Sequence, residues 1–193
     1  MVVVGNDEHV CGFVALADTL RQDAAGAIRE LRQAGIDHIV MLTGDNAATA
    51  SAIAEEAGID EYHAELLPAD KVRVVEELVQ KYGSVGMVGD GVNDAPAMAR
   101  ASIGIAMGAA GSDAAIEASD IALMSDELTR VPWLIRHSRR TVLTIRENIG
   151  VSIAIKVVFV MATFGGYASL WAAIAADMGV SLLVILNALR LLK

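Results

Sequence analysis

Cysteine is almost missing: 193 residues contain only Cys11. A single thiol excludes an internal disulfide framework and any multi-cysteine zinc cluster, and it fits a reducing compartment. Free cysteine packs as a small hydrophobe, so Cys11 is expected to be a buried strand residue. Positive charge is also scarce. Fifteen Lys and Arg stand against 24 Asp and Glu, a net charge of −9. That balance excludes a nucleic-acid surface, which needs clustered cations, so anionic ligands would need a metal bridge. A cleavable signal is lacking too, because Met1 leads through Val2, Val3 and Val4 to Gly5, Asn6 and Asp7, with no basic start and too short an apolar run. The chain opens inside a strand, and an upstream portion is therefore expected to precede it. The chain is 54% hydrophobic, with the excess concentrated after Asn148, so the two ends are expected to live in different solvents.

The first two thirds alternate strands with helices. Val2–Val4 and Val10–Ala17 predict a hairpin with its turn at Asn6 and Asp7. Asp23 is positioned to cap a helix whose apolar residues Ala27, Ile28, Leu31 and Ala34 fall at helical spacing before Gly35. Strands follow at His38–Leu42, Val85–Val88, Ile103–Ala106 and Ile121–Leu123. Helices are predicted over Ala47–Ala57, Ala69–Tyr82, Ala95–Ala101 and Ser112–Ala118. This is the pattern of an α/β fold with a parallel sheet, in which ligands bind beyond the carboxyl ends of strands.

From Leu128 to Asn148 a helical stretch carries Arg130, Arg136, His137, Arg139, Arg140 and Arg146. Ile149–Phe164 is then apolar apart from Lys156, and Ala168–Leu192 is apolar apart from Asp177 until Asn187 and Arg190. A spanning helix needs about 20 residues, so these runs predict a membrane hairpin turning at Gly165 and Gly166. Basic residues before the first span and after the second place both ends, and the soluble domain, in the cytoplasm. The expected organisation is a soluble domain over 1–128, a basic linker helix over 129–147 and a transmembrane hairpin over 148–193.

Two strand-end clusters carry the chemistry. In Gly89-Asp90-Gly91-Val92-Asn93-Asp94-Ala95-Pro96, two carboxylates around a glycine-rich turn can converge on a hard cation. Mg²⁺ takes oxygen ligands, keeps waters and bridges to phosphoryl groups. Asp90 and Asp94 are the candidate ligands, with Asn93 orienting one of them or a phosphate oxygen; a solvated Asx-rich turn is the plainer alternative. In Thr43-Gly44-Asp45-Asn46, a hydroxyl and helix N-terminal amides could hold a phosphoryl group, although Asp45 could also be a simple N-cap. Lys71 could balance a phosphate or merely lie on the surface. In the hairpin, a charge at mid-bilayer costs at least about 2.5 kcal/mol. Lys156 and Asp177 could therefore be a structural ion pair, or a cation-binding carboxylate and its counter-charge.

Taken together and in this order, Thr43–Asn46, Lys71 and Gly89–Pro96 resemble the phosphorylation domain of P-type ATPases, a haloacid dehalogenase-like Rossmannoid fold. The resemblance runs on through Gly104-Ile105-Ala106-Met107-Gly108 and Ser119–Leu123, and it includes Asp18-Thr19-Leu20-Arg21. It implies that Thr43 contacts the phosphoryl group with Gly44 and Asp45 beside it, that Lys71 neutralises it, and that Asp90 and Asp94 hold Mg²⁺. Lys156 and Ala176-Asp177-Met178-Gly179 resemble the last two helices of the zinc-, cadmium- and lead-exporting group, a translocase of the bacterial plasma membrane. Asn187-Ala188-Leu189-Arg190-Leu191 resembles the family's ending.

The family's phosphorylated aspartate lies in an Asp-Lys-Thr-Gly-Thr run, which this chain lacks; Asp7 is read as a turn residue. ATP would bind through a nucleotide-binding domain that is also missing, as is the Cys-Pro-Cys helix. The expectation is the C-terminal part of a Zn²⁺, Cd²⁺ or Pb²⁺ exporter, inactive alone and completed by a missing N-terminal part. The alternatives are a membrane-tethered dehalogenase-like phosphatase and a truncated, non-enzymatic regulatory product.

Overall fold

The alternation of short apolar runs with helical periodicity is realised almost element for element. The protein is described by a computed structural model covering residues 2–6, 9–14, 19–90, 93–108, 113–167 and 169–192. The chain divides into two units, Met1–Pro132 and Trp133–Lys193.

The first unit opens with the expected antiparallel hairpin, β1 (Val2–Gly5) and β2 (Val10–Val14), with Val3 opposite Phe13. Asn6 closes its turn, donating its N–H to the carbonyl of His9 at 3.0 Å and accepting the His9 N–H on Oδ1 at 2.9 Å. Asp7 and Asp18, and the surroundings of the Cys11 side chain, lie outside the described residues. There follow α1 (Ala24–Gln33), β3 (Val40–Leu42), α2 (Ala47–Ala57), β4 (Glu61–His63), α3 (Pro68–Tyr82) and β5 (Gly86–Gly89). The unit continues with α4 (Ala95–Met98), β6 (Ile103–Ala106), α5 (Asp113–Glu117) and β7 (Ile121–Ala122). All pairings after the hairpin are parallel. β3 pairs with β4, Val40 opposite Glu61, and β6 lies between β5 and β7. The parallel α/β pattern is therefore present as two strand groups.

Local sequence explains the helices. α1 buries Ala27 and Ile28 and stops at Gly35, whose φ of 78° suits a residue without a Cβ. Asp23 does stand at the N-cap position of α1, but its side chain makes no cap hydrogen bond. Its Oδ2 instead accepts the backbone N–H of Leu128 at 2.7 Å, and Arg21 beside it ion-pairs with Asp126 at 2.6 Å. Two residues just before α1 thus fasten the chain just after β7. α3 starts at Pro68, where a missing N–H costs nothing, and turns Val74, Val75 and Leu78 inward. There Val75 meets Met87, Ala97, Met98, Ala106 and Ala115, with Leu42 packed against them. Full burial of a Val or Met side chain is worth about 1.5–3 kcal/mol. Because that shared core includes Leu42 of β3 and Met87 of β5, it holds the ends of these two strands near each other.

α6 (Arg130–Phe164) is continuous through the expected boundary between basic linker and hairpin. No proline stands there and the helix runs on through Gly150, so the boundary is a change of side-chain polarity only. A turn at Gly165 and Gly166 (φ 74°) leads to α7 (Leu170–Ala188), capped by the Ser169 hydroxyl, and to a 3-10 turn at Leu189–Leu192. Within the second unit, the Asn187 Nδ2 donates to Asn148 Oδ1 at 2.9 Å. Large apolar side chains stand outward along both helices, Phe164 and Trp171 among them. Both helices are long and apolar enough to cross a membrane.

Candidate functional site

The Thr43 loop is built from local hydrogen bonds. The Thr43 hydroxyl donates to Asp45 Oδ2 at 2.7 Å and accepts the Asp45 N–H at 3.1 Å. Across the loop, the N–H of Glu65 donates to the Asp45 carbonyl at 2.8 Å and that of Leu66 to the Thr43 carbonyl at 3.0 Å. Glu65 is held in the left-handed region at φ 58°, an uncommon conformation for a residue with a side chain. Asp45 is not the cap of α2. Asn46 is, its Oδ1 accepting the Thr49 N–H at 3.0 Å, which leaves the Asp45 carboxylate to Thr43. The residues that clamp this loop lead directly into α3, whose first turn carries Lys71.

Lys71 is not a surface lysine. Its Nζ lies 2.7 Å from Asp94 Oδ1, and the two side chains are only 17% and 18% exposed. The ion pair joins the start of α3 to the loop between β5 and α4. Asp94 is seated by Gly89: a Cβ at that position would come within 2.8 Å of Asp94 Oδ2 and 2.9 Å of its Cβ. Gly89 is therefore required by close approach rather than by its backbone angles, a role that the glycine-rich motif alone does not disclose. At the strand end Asp90 is exposed, and its Oδ1 accepts the Asn93 N–H at 3.3 Å. This is the Asx turn foreseen as the plainer alternative, but it accounts for Asp90 and Asn93 only and not for Asp94. Gly91 and Val92 lie outside the described residues.

The donor chemistry here suits Mg²⁺. Asp90, Asn93 and the Asp94 oxygen not taken by Lys71 are all hard oxygen donors. Among the described residues no group of three or more His, Cys, Asp or Glu side chains could hold a metal ion. Two carboxylates plus a phosphoryl oxygen and waters is the arrangement Mg²⁺ favours over an all-protein cage.

Lys156 on α6 and Asp177 on α7 are both exposed. They are not brought together, since no ion pair joins them among the described residues. The polar link between these helices is instead Asn148 with Asn187, reinforced by Arg190 Nη1 donating to Asn187 Oδ1 at 3.1 Å. The sequence does not mark this pair, because either asparagine alone looks like an ordinary helix-end residue.

Comparison with known proteins supports the same fold. A family model described as haloacid dehalogenase-like hydrolase matches residues 2–102. The chain is 44% identical over its whole length to a cadmium-transporting ATPase of Staphylococcus aureus, of which it spans 26%. It is 45% identical, over 97% of its length, to a zinc-transporting ATPase of Synechocystis, again spanning 26%. A crystal structure of a zinc-transporting PIB-type ATPase in an E2.Pi state superposes on 99% of the chain with a TM-score of 0.85 at 48% identity, the chain covering 31% of that protein. The chain thus spans about a quarter of the length of the curated relatives it matches. It belongs to the haloacid dehalogenase-like hydrolase family, and its homologues over its whole length are cadmium- and zinc-transporting P-type ATPases.

Proposed function

We propose that this chain supplies the phosphoryl-transfer site and two membrane helices of a heavy-metal exporter for Zn²⁺, Cd²⁺ or Pb²⁺. The observation that carries the proposal is the part-buried Lys71–Asp94 pair, 2.7 Å apart at the end of β5. It fixes the Lys71 ammonium beside the Asp94 carboxylate, and the hydrogen bonds of residues 65 and 66 tie the Thr43 loop to the segment that leads to it. Thr43, Gly44 and the first amides of α2 hold a phosphoryl group, as helix N-termini do. Lys71 offsets its charge, and Asp94 aims Lys71. Asp90 and Asp94, with Asn93 beside them, hold Mg²⁺, which when bound neutralises charge on a transferring phosphoryl group. No Asp-Lys-Thr-Gly-Thr run occurs in the 193 residues, so the nucleophile and the nucleotide-binding domain come from another segment, and the chain alone turns over no ATP. The soluble unit is cytoplasmic and the hairpin is embedded in the plasma membrane.

In the hairpin, Asp177 binds the exported cation and Lys156 is the charge that promotes its release. Both side chains lie exposed on the isolated hairpin, where a bundle of further helices would cover them. The test is Zn²⁺ and Cd²⁺ binding by the detergent-solubilised chain, by calorimetry. Micromolar binding abolished by Asp177→Ala supports the transport role. Binding that survives the substitution removes Asp177 from the cation path and reduces the substrate to an unspecified cation.

A further inference from the structure

Charge is unevenly divided along this chain. Residues 130–193 hold eight Lys and Arg against two acids, whereas residues 1–129 hold seven against 22, a net −15. An acidic domain of that size is repelled by an anionic bilayer surface, yet the same chain is anchored there by two helices. The compensating positive charge lies on α6. At about 100° per residue, Arg136, Arg139, Arg140 and Arg146 fall within an arc of about 120° on that helix. Glu147 is the one acid on the same face. Arg139, Arg140 and Arg146 are exposed.

Membrane depth can be read from the opposite end of the hairpin. Phe164, Tyr167 and Trp171 are 88%, 90% and 79% exposed around the Gly165–Gly166 turn, and the Tyr and Trp rings among them mark a membrane–water interface. Counting back about 20 residues of hydrocarbon thickness from Phe164 reaches Ile145. The headgroup layer, roughly 5–7 Å deep, then covers about four residues, from Arg140 or Thr141 to Thr144. Arg146 stands at the hydrocarbon edge, from which an arginine snorkels outward. Arg139 lies within a Debye length of about 8 Å. On α7, about 20 residues from Leu170 reach Arg190, and the hydrogen-bonded chain from Arg190 through Asn187 to Asn148 fixes that arginine at the same level as Arg146.

We propose that Arg140 and Arg146 of α6 with Arg190 beyond α7 form a binding surface for anionic phospholipid headgroups of the cytoplasmic leaflet, their guanidinium groups pairing with the lipid phosphate. The proposal rests on the hairpin spanning a bilayer and is independent of the exported metal. Guanidinium presents paired donors to a phosphate, which suits it to this ligand. The surface offsets repulsion of the acidic unit and sets the depth of α6.

The test uses the full chain in nanodiscs made of equal parts dioleoylphosphatidylcholine and dioleoylphosphatidylglycerol, with the lipids retained on release counted by native mass spectrometry. The wild type retains phosphatidylglycerol preferentially. Each arginine near the surface is worth about fivefold, so the triple variant Arg140→Gln, Arg146→Gln, Arg190→Gln loses at least about tenfold of that preference. Arg130→Gln, about 22 Å from the hydrocarbon edge, leaves it unchanged, and the three Arg→Lys replacements keep most of it. In about 1 M salt, where the Debye length is near 3 Å, the preference collapses. A chain that enters the nanodisc and shows no preference, or a triple glutamine variant that keeps the wild-type preference, overturns the lipid surface alone. A chain that fails to enter the nanodisc overturns the membrane reading and this inference with it.

Discussion

Replacing Gly89 by alanine adds one methyl group at the point where the site is tightest. The new Cβ would lie 2.8 Å from Asp94 Oδ2 and 2.9 Å from Asp94 Cβ. Because Asp94 Cβ is fixed to the backbone, no rotamer change relieves both contacts. Overpacking of this kind costs about 1–3 kcal/mol. Asp94 must withdraw, and its 2.7 Å bond to Lys71 is lost. A pair about four-fifths buried is worth more than a surface ion pair, at about 0–1 kcal/mol, and less than the 3–5 kcal/mol released by breaking a fully buried one. Together the expected destabilisation is about 2–4 kcal/mol. For a unit of this size that lowers the midpoint by about 3–4 °C per kcal/mol, or roughly 10 °C in all. The assay is thermal unfolding of the soluble unit in the detergent-solubilised chain, followed by circular dichroism. Asp94→Gly removes the clashing atoms, so Gly89→Ala in that background should cost less than about 1 kcal/mol, the remainder being coupling between the two sites. A Gly89→Ala melt within 1 °C of wild type would refute the proposed contact between strand end and carboxylate.

Three further outcomes are expected. Asn46→Ala should destabilise α2 by about 1 kcal/mol through loss of the Thr49 cap, while Asn46→Asp stays near wild type, as read by urea unfolding. The hydrogen bond from Arg21 holds the Asp126 carboxyl below its ordinary value. A depressed folded-state value means stabilisation that is full above the unfolded value near pH 4 and is lost as pH falls through the folded one; unfolding of Arg21→Gln between pH 2 and 5 should lack that component. Asn148→Leu removes the 2.9 Å bond to Asn187, and interhelical hydrogen bonds in membranes average about 0.6 kcal/mol, so steric-trap unfolding in bicelles should register a small loss.

The elements easiest to read from sequence were those whose signal is local. The apolar spacing of α1 and α3 and the glycines that stop helices fall where the periodicity predicts. β4 carries no strand signal of its own, because Glu61-Tyr62-His63 has no apolar run. It is a strand only because Val40, Met41 and Leu42 pair with it, and pairing across about 20 residues leaves no local mark. Asp23 and Asp45 both stand where a capping residue is expected, yet their carboxylates go elsewhere, Asp23 to Leu128 and Asp45 to Thr43. Residue type announces a carboxylate at such positions, and tertiary contacts decide what it binds. Of the residues that the strand-end motifs single out, the structure brings Asp94 and Lys71 together. That Lys71 is already paired with Asp94, and that Gly89 makes the room, follows from packing between α3 and the β5 loop.

The fastening of Arg21 and Asp23 to Asp126 and Leu128 joins residues 105 positions apart. During synthesis the N-terminal residues leave the ribosome first, but this clasp must wait until Leu128 has followed them out. The next residues to emerge are those of α6. The first unit of this chain therefore completes this fastening just before the ribosome delivers α6, and a pause in translation at that point would favour the folding of the one before the emergence of the other.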